Sequence, residues 1–435
     1  MIEVLSFRTE GLGDSSYLVK YDGRAVLVDP QRDFERFLDH LAGAELRWVL
    51  ETHLHNDYVS GGLSAARVTG AELVLPASAA PAFRHTPAFH GEDLVDGPLA
   101  IRPLHTPGHT PEHTSYLLVV EGRPEAVFSG GSLLVGSAGR SDLLGMQRAE
   151  SLARLQYRSL RRLASLPAET GLYPTHGAGS FCTASAAGGH TSTIGAEVGS
   201  NPALAHPDED SFVAAHLEDL QPYPRYYARM GGINLAGPPP MPSLVAKRLE
   251  PDAIDPSTPV IDARSADDYA SGHFPGSLNI PMSHQFGTWF GWLVPLDEPA
   301  VLVVSDADQA REALLQLARI GIDEILGVIV GEAGPVASRT SRVWEVPEGA
   351  QILDVRSPGE HAVFSAPETF HAYVPDLLDG PPSEIDQAEP VYVACASGYR
   401  SAIAASLLRR HGIDAIPVLE ASVTDLLNRR HDSAV

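Results

Sequence analysis

A chain of 435 residues exceeds what one hydrophobic core holds, and at roughly 150 residues per domain it is expected to fold as two to four. Its net charge of −24 excludes nucleic acid and anionic membrane surfaces as partners, while its 44% apolar content is ordinary for a globular protein. Two cysteines, Cys182 and Cys395, exclude a disulfide framework, and no apolar run approaches the roughly 20 residues that span a bilayer. The first residues lack the basic-then-apolar pattern of a secretion signal. The expected location is therefore the reducing cytoplasm.

Along residues 1–235, apolar strand-like segments end in polar clusters. Ala25-Val-Leu-Val-Asp-Pro30, Trp48-Val-Leu-Glu-Thr-His53 and Ala126-Val-Phe-Ser-Gly130 are of this kind, and the carboxyl ends of strands are where α/β architectures place chemistry. The second runs into His53-Leu-His55-Asn-Asp57-Tyr58. Two imidazoles at i and i+2, with a carboxylate at i+4, converge on a cation if the backbone turns there. His109 in Thr106-Pro-Gly-His-Thr110 and His176 in Tyr173-Pro-Thr-His-Gly177 stand in similar turn-rich loops. Four histidines in three such loops make a candidate metal site, because neutral imidazole is a preferred ligand for zinc and iron. The plain alternative is scattered loop histidines acting as caps or surface groups. His105 and His113 lie four residues either side of His109. Pro107, Gly108 and Pro111 forbid a helix that would put them on one face, so His113 is expected to support the structure rather than to ligate. Cys182, among small residues after His176, is read as structural, or else as a redox-sensitive neighbour of the metal.

These motifs resemble the metallo-β-lactamase fold superfamily over nearly all of residues 1–235, which implies an αββα sandwich. Within it, Val28-Asp-Pro-Gln-Arg-Asp33, the His-x-His-x-Asp run, the Pro-Gly-His turn, Gly139-Arg-Ser-Asp-Leu143 and Pro174-Thr-His-Gly-Ala-Gly-Ser-Phe-Cys182 are similar to glyoxalase II-like proteins. The similarity is strongest to persulfide dioxygenases fused to rhodanese domains. In those, the resemblance implies an iron held by the first His of the pair, the His of the Pro-Gly-His turn and an Asp in a Thr-Gly-Asp motif. His53 and His109 match, but Phe128-Ser-Gly-Gly131 places Gly131 where the carboxylate should be. Dinuclear relatives bridge two metals through that Asp, and Tyr58 stands where many carry a further His, so a two-metal site is not expected. Three outcomes are open. His55 completes a three-His set with His53 and His109; or a carboxylate from Asp57, or from Asp142 or Glu112, restores the ligand; or the site binds metal poorly and the domain is silent.

Ala236-Gly-Pro-Pro-Pro-Met-Pro242 breaks the chain, since a proline run continues neither helix nor central strand, and residues 236–243 are read as a stiff linker. Beyond it Val260-Ile-Asp-Ala-Arg-Ser265 recurs as Ile352-Leu-Asp-Val-Arg-Ser357, with Asp268 and Glu360 each four residues past their Arg. Gly321-Ile-Asp323 echoes Gly412-Ile-Asp414. A unit of about ninety residues therefore occurs twice, as residues 244–338 and 345–435. Each copy alternates apolar strand-like runs with amphipathic stretches such as Gln309–Arg319 and Ser401–Arg410, which predicts a parallel sheet covered by helices.

In the second copy, Cys395-Ala-Ser-Gly-Tyr-Arg400 separates the apolar Val391-Tyr-Val-Ala394 from a helical stretch. Loop N–H groups, the helix dipole and the Arg400 guanidinium all favour negative charge at the sulfur. Gly398 supplies the backbone freedom that aims those N–H groups inward. An inert, buried thiol is the plain alternative. The run resembles the active-site loop of the rhodanese family, sulfurtransferases whose Cys carries sulfur as a persulfide. Gly272-His-Phe-Pro-Gly-Ser-Leu-Asn-Ile-Pro281 resembles the same family. The resemblance assigns catalysis to Cys395 and Arg400, and substrate binding to Ala396, Ser397, Gly398 and Tyr399. In the first copy, Val303-Val-Ser-Asp-Ala-Asp-Gln-Ala-Arg311 puts Ser305 in the Cys position, so that copy is expected to be structural.

Together the resemblances imply an α/β multidomain chain, an N-terminal αββα metallo-β-lactamase sandwich followed by two α/β rhodanese domains with parallel sheets. The implied activity is oxidation of a low-molecular-weight thiol persulfide, glutathione persulfide-like, at mononuclear Fe(II), coupled to sulfur transfer through Cys395. The metal ligands are sought among His53, His55, Asp57, His109 and His176. Zn(II) with thioester hydrolysis of the glyoxalase II type is one alternative; a non-catalytic metal domain serving as scaffold for a sulfur carrier is another. The partners implied are the persulfide, thiosulfate or sulfite, and O₂, with no nucleic acid, no membrane, and a homo-oligomer left open.

Overall fold

A computed structural model describes residues 2–185, 188–218, 220–366 and 368–432. The chain forms two compact units, residues Met1–Pro242 with Ala318–Gly321, and Ser243–Leu317 with Ile322–Val435.

In the first unit, strands β1 (Glu3–Thr9), β2 (Asp14–Tyr21), β3 (Arg24–Val28), β4 (Glu45–Leu50), β5 (Glu72–Pro76) and β6 (Thr86–Ala88) lie in sequence order in one six-stranded sheet. The first three form an antiparallel meander, and β3 to β6 run parallel. Asp22 and Gly23, both with positive φ, make the two-residue turn between β2 and β3 that suits the twist of a hairpin. The second sheet comprises β7 (Leu94–Asp96), β8 (Leu99–His105), β9 (Thr114–Val120) and β10 (Arg123–Gly130). A short hairpin of β11 (Leu133–Leu134) and β12 (Ser137–Ala138) follows, and β13 (Gly171–Pro174) and β14 (Ser192–Thr193) return to complete the order β14-β13-β10-β9-β8-β7.

Side-chain alternation stacks these sheets. Tyr17 and Val19 of β2 share one core with Trp48 and Leu50 of the first sheet and Ile101, Tyr116 and Phe128 of the second. Leu18, Leu27 and Val49 face the other way, onto Phe34, Phe37 and Leu63. Leu117, Val127 and Leu172 cover the far side of the second sheet and pack on Leu160 and Leu163 of the helix Met146–Ala164. That helix buries Ala149, Leu152, Ala153, Gln156, Leu160 and Leu163, a stripe at helical spacing. Strands that bury both faces need a helical cover on each outer side, and the result is the expected αββα sandwich. Each buried Leu or Phe contributes about 1.5–3 kcal/mol.

In the second unit, β15 (Val260–Asp262), β16 (Leu278–Asn279), β17 (Ala300–Val304) and β18 (Ile325–Val330) form a parallel sheet in the order β16-β15-β17-β18. β19 (Gln351–Asp354), β20 (Phe370–His371), β21 (Val391–Cys395) and β22 (Ala415–Ser422) repeat it as β20-β19-β21-β22. The recurring Asp-x-Arg is a buried ion pair after the first strand of each copy: Arg264 Nε donates to Asp262 at 3.0 Å and Arg356 Nε to Asp354 at 3.0 Å. Ser265 and Ser357 then cap the next helix, accepting from the backbone N–H of Asp268 and Glu360. The two copies touch through Asn279 N–H donating to Ser406 Oγ at 3.0 Å. The helices expected at 309–319 and 401–410 begin two residues earlier, at Ala307 and Tyr399, so Tyr399 and Arg400 belong to a helical first turn rather than to a loop. Among the described residues no helix is long and apolar enough to cross a membrane.

Candidate functional site

The sandwich collects its buried histidines at strand ends. His53 and His55 follow β4, His109 lies in the turn between β8 and β9, and His176 follows β13; all four are buried. Hydrogen bonds fix which ring nitrogen of each carries a proton. Thr52 Oγ1 donates to Asp29 at 2.7 Å, so at 2.8 Å it accepts from His53 Nδ1–H, leaving a lone pair on His53 Nε2. The Arg140 carbonyl can only accept, and it takes His109 Nδ1–H at 2.8 Å, so His109 Nε2 is buried with no hydrogen-bond partner. Asp14 takes His176 Nδ1–H at 2.8 Å. The Nε2 atoms of His53 and His176 then face one another at 3.4 Å. Without an ion a protonated His176 Nε2–H donates to the His53 lone pair; once that proton is displaced, two nitrogens bound tetrahedrally to one ion at ~2.0–2.1 Å would stand roughly 3.3–3.4 Å apart, so the spacing suits both states.

His55 is oriented by its outer nitrogen. Its Nε2 lies 3.0 Å from the Tyr58 hydroxyl, 3.2 Å from Glu51 and 3.3 Å from Asp29, while Nδ1 is buried and unpartnered. A ring that donates one N–H to carboxylates and turns its other, unpartnered nitrogen inward is the usual preparation of a metal-binding His, the ion displacing any proton there. Burial alone would lower the His55 pKa, but Asp29 and Glu51 outweigh it and hold it well above its ordinary value. In His176 burial is likewise overcome by Asp57 and Asp14, and its pKa is pushed up to about 9. Burial, reinforced by neighbouring imidazoles, drives His53 and His113 well down, and takes His109 to about 3, so these rings are neutral.

His53 and His55 group with His176, and His109 groups with His176 and Cys182, the ligand atoms of each group lying within 4.8 Å of one another. The His53 and His109 rings also meet edge to face, their centroids 4.9 Å apart. Asp57 sits 3.3 Å from His176 Nδ1, on the side of that ring away from His53. Asp142 is spent on a two-point grip of Arg140, and Glu112 accepts from Leu54 N–H and Thr110 Oγ1, so neither replaces the carboxylate. His113 accepts Gly131 N–H on Nε2 at 2.9 Å and pairs through Nδ1 with Thr106, which removes it from the ligands.

Gly131 leaves no room for the expected Asp. A Cβ built there falls 2.2 Å from the His109 ring. Gly131→Ala is therefore expected to cost about 1–3 kcal/mol through forced displacement of that ring, read as a lowered unfolding midpoint in urea at unchanged slope. His55 Nδ1 and His109 Nε2, buried without partners, and the paired Nε2 atoms of His53 and His176 fit a transition-metal ion, with these four residues as its candidate holders.

The second site is the strand–helix junction after β21. Cys395 is buried, and its Sγ accepts from Gly398 N–H at 3.1 Å and Ser397 N–H at 3.5 Å. Gly398, with φ of 93°, is the N-cap of the helix Tyr399–Arg410, and a Cβ there would meet Glu420 N at 2.8 Å. Ala396 and Ser397 are exposed at the loop's rim. Arg400 is turned to Glu360, gripping both carboxylate oxygens, one at 2.8 Å. The field at the sulfur thus comes chiefly from backbone N–H groups, with the Arg400 charge neutralised in a pair that ties two helix starts together. Burial opposes ionisation of Glu360, but Arg400 wins and holds its pKa down to about 2. A depressed carboxylate contributes stability above its ordinary 4.5 and loses it as pH falls through 2. Wild type is expected to exceed Glu360→Gln by on the order of 1 kcal/mol at neutral pH, and acid unfolding curves of the two should converge between pH 4.5 and 2. In the first copy the helix starts at Ala307, Ser305 N–H donates to Gln309 Oε1 at 2.8 Å, and no comparable cradle forms.

Residues 10–176 match the family described as the metallo-beta-lactamase superfamily, and residues 241–331 match the rhodanese-like domain. The chain carries a metallo-β-lactamase domain and a rhodanese-like domain. A metallo-beta-lactamase from Staphylococcus aureus subsp. aureus COL, known from its crystal structure, aligns with 76% of this chain and 99% of its own at 29% identity and a TM-score of 0.70. Hydroxyacylglutathione hydrolase of Methylobacillus flagellatus is 31% identical over 180 residues, which is 40% of this chain and 65% of that protein. The human hydroxyacylglutathione hydrolase-like protein is 36% identical over 136 residues, 31% of this chain and 44% of its own. The chain spans 44% to 65% of the length of the first curated relatives it matches.

Several residues of the metallo-β-lactamase domain that shape its site carry no local sequence signal. Asp14 lies 162 positions from His176, and Glu51 and Tyr58 acquire their part only when β4 ends beside Asp29. Asp29 itself could have been marked, since Val28-Asp-Pro30 closes an apolar run as Thr52-His53 does.

Proposed function

We propose that this protein processes sulfane sulfur, oxidising a low-molecular-weight thiol persulfide in its metallo-β-lactamase domain and passing sulfur through Cys395. The observation that carries the reading is the cradle of Cys395, a buried sulfur at a strand end facing the N–H groups of Ser397 and Gly398 at a helix start. Such a setting stabilises a thiolate and any negative charge that develops on its sulfur. With thiosulfate, Cys395 Sγ bonds to the sulfane sulfur, the S–S bond breaks, and sulfite leaves with the electron pair. The product is a Cys395 persulfide held by the same two N–H groups. Glu360 and Arg400 position the first turn that carries them.

In the metallo-β-lactamase domain, His53, His55, His109 and His176 would hold iron, whose redox chemistry lets one persulfide, one O₂ and one water become one thiol and one sulfite. Asp29 and Glu51 keep His55 facing inward, Thr52 and Asp14 fix the tautomers of His53 and His176, and burial keeps bulk water from the reacting sulfur. Iron-loaded protein given glutathione persulfide is expected to consume O₂, with His53→Ala at the background rate. Equal uptake by both, or none by either, would sink the oxidase half. Thiosulfate should add one sulfur atom to the peptide bearing Cys395 in the mass spectrum, and an unmodified peptide would sink the transfer half.

The curated relatives favour a second reading, hydrolysis of a thioester at zinc. Zinc in the purified protein, thioester cleavage and no oxygen uptake would select it.

A further inference from the structure

We propose that Cys182 is a metal ligand, its Sγ joining His109 Nε2 and the His176 ring in a position of two imidazoles and one thiolate for a divalent cation. The proposal rests on the metal reading above and adds a donor that this reading does not use. All three residues are fully buried, and the three donor atoms lie within 4.8 Å of one another. His109 Nε2 is the second, independent pointer. Its ring is anchored through Nδ1, its Nε2 has no partner, and it opens toward the sulfur and His176.

Backbone contacts hold the thiol in register with that ring. Arg140 N–H donates to the Cys182 carbonyl at 3.0 Å, and the Arg140 carbonyl takes the His109 proton at 2.8 Å. The Arg140 guanidinium meanwhile donates to the Phe181 carbonyl at 3.0 Å and is braced by Asp142. One residue therefore sets the imidazole and the thiol together, and Cys182 N–H is fixed in turn by Ser180 Oγ at 3.2 Å.

Gly131 gives the arrangement its chemical sense. The position that resemblance reserves for a carboxylate has neither the side chain nor the space for one, because the His109 ring occupies it. A hard oxygen donor is gone and a sulfur lies within reach of the same imidazole. Such a set discriminates against magnesium, calcium and manganese and in favour of zinc, cobalt and ferrous iron. Binding forms a metal–sulfur bond and releases the Cys182 proton to solvent.

The test uses full-length Cys395→Ser, in which Cys182 is the sole thiol, stripped of metal and titrated with Co(II). A thiolate-to-cobalt charge-transfer band in the near ultraviolet, saturating at one per chain and absent when Cys182→Ser is added, is the expected result. Cobalt d–d bands with no charge-transfer band, a band that survives Cys182→Ser, or no cobalt uptake would each overturn the proposal. Should the double variant not fold, X-ray absorption at the zinc edge of zinc-loaded Cys395→Ser decides. A sulfur scatterer at about 2.3 Å upholds the ligand, and nitrogen or oxygen alone at ~2.0–2.2 Å overturns it. Nitrogen-only ligation would leave persulfide oxidation standing, since that reading falls on oxygen uptake and not on the ligand set.

Discussion

Cys395→Ser is expected to abolish sulfur transfer from thiosulfate while leaving the fold unchanged. Serine differs from cysteine by one atom, and the site is a buried strand end whose neighbours are backbone N–H groups, so packing is nearly conserved. What disappears is the only atom there that is able to hold a sulfane sulfur. Deleting the nucleophile of a covalent mechanism costs on the order of 10⁶-fold, which places the variant at the uncatalysed rate. Sulfite release from thiosulfate in the presence of a thiol acceptor measures it. Release above the protein-free rate would move the nucleophile elsewhere.

His176→Ala is expected to have the largest effect on the metal-binding domain, because His176 belongs to three of the four candidate ligand groups among the described residues. Loss of an outer hydrogen-bond partner weakens metal affinity roughly 10–100-fold, and this is the range expected for Asp29→Asn, which disturbs His55 from behind. Loss of the shared imidazole should exceed it, and competition with a chelator ranks the two. A stability penalty accompanies the change. Without an ion, His176 is the cation beside the fully buried Asp57 carboxylate, with Asp14, whose pKa burial and Asp57 push well up, also on its Nδ1, and stripping the partner from a buried charge costs about 3–5 kcal/mol. A variant that binds one equivalent as tightly as wild type, or unfolds at the wild-type urea concentration, contradicts this account.

The architecture was legible where chemistry repeats at short range. Asp-x-Arg followed by a capping serine gives each parallel sheet its opening, and the duplicated strand order answers to that duplicated sentence in the sequence. His-x-His after an apolar run placed two imidazoles just past the end of β4, where the chain leaves the sheet. What stayed hidden depends on partners distant in sequence. Nothing near His109 tells that its ring comes within reach of Cys182, since the anchor is a carbonyl 31 positions away. Nothing near Arg400 tells that it spends itself on Glu360, although Glu360 was visible as part of the repeat. The gap at Gly131 read as a missing ligand; the structure adds that a neighbour's ring fills the space.

Asp29 gives the histidine cluster a further property. Its carboxylate accepts from Thr52 at the end of β4 and from Thr175 at the end of β13, one from each sheet, and also faces His55. The clasp between the sheets and the brace behind the imidazole are a single side chain, whose hydrogen bonds to both threonines use none of the candidate ligand nitrogens. A chelator should accordingly empty the protein and leave it folded, in contrast to small domains that collapse when zinc is withdrawn. The ion is then an exchangeable passenger, and the metal carried at any moment reflects what the surroundings supply as well as what the donors prefer.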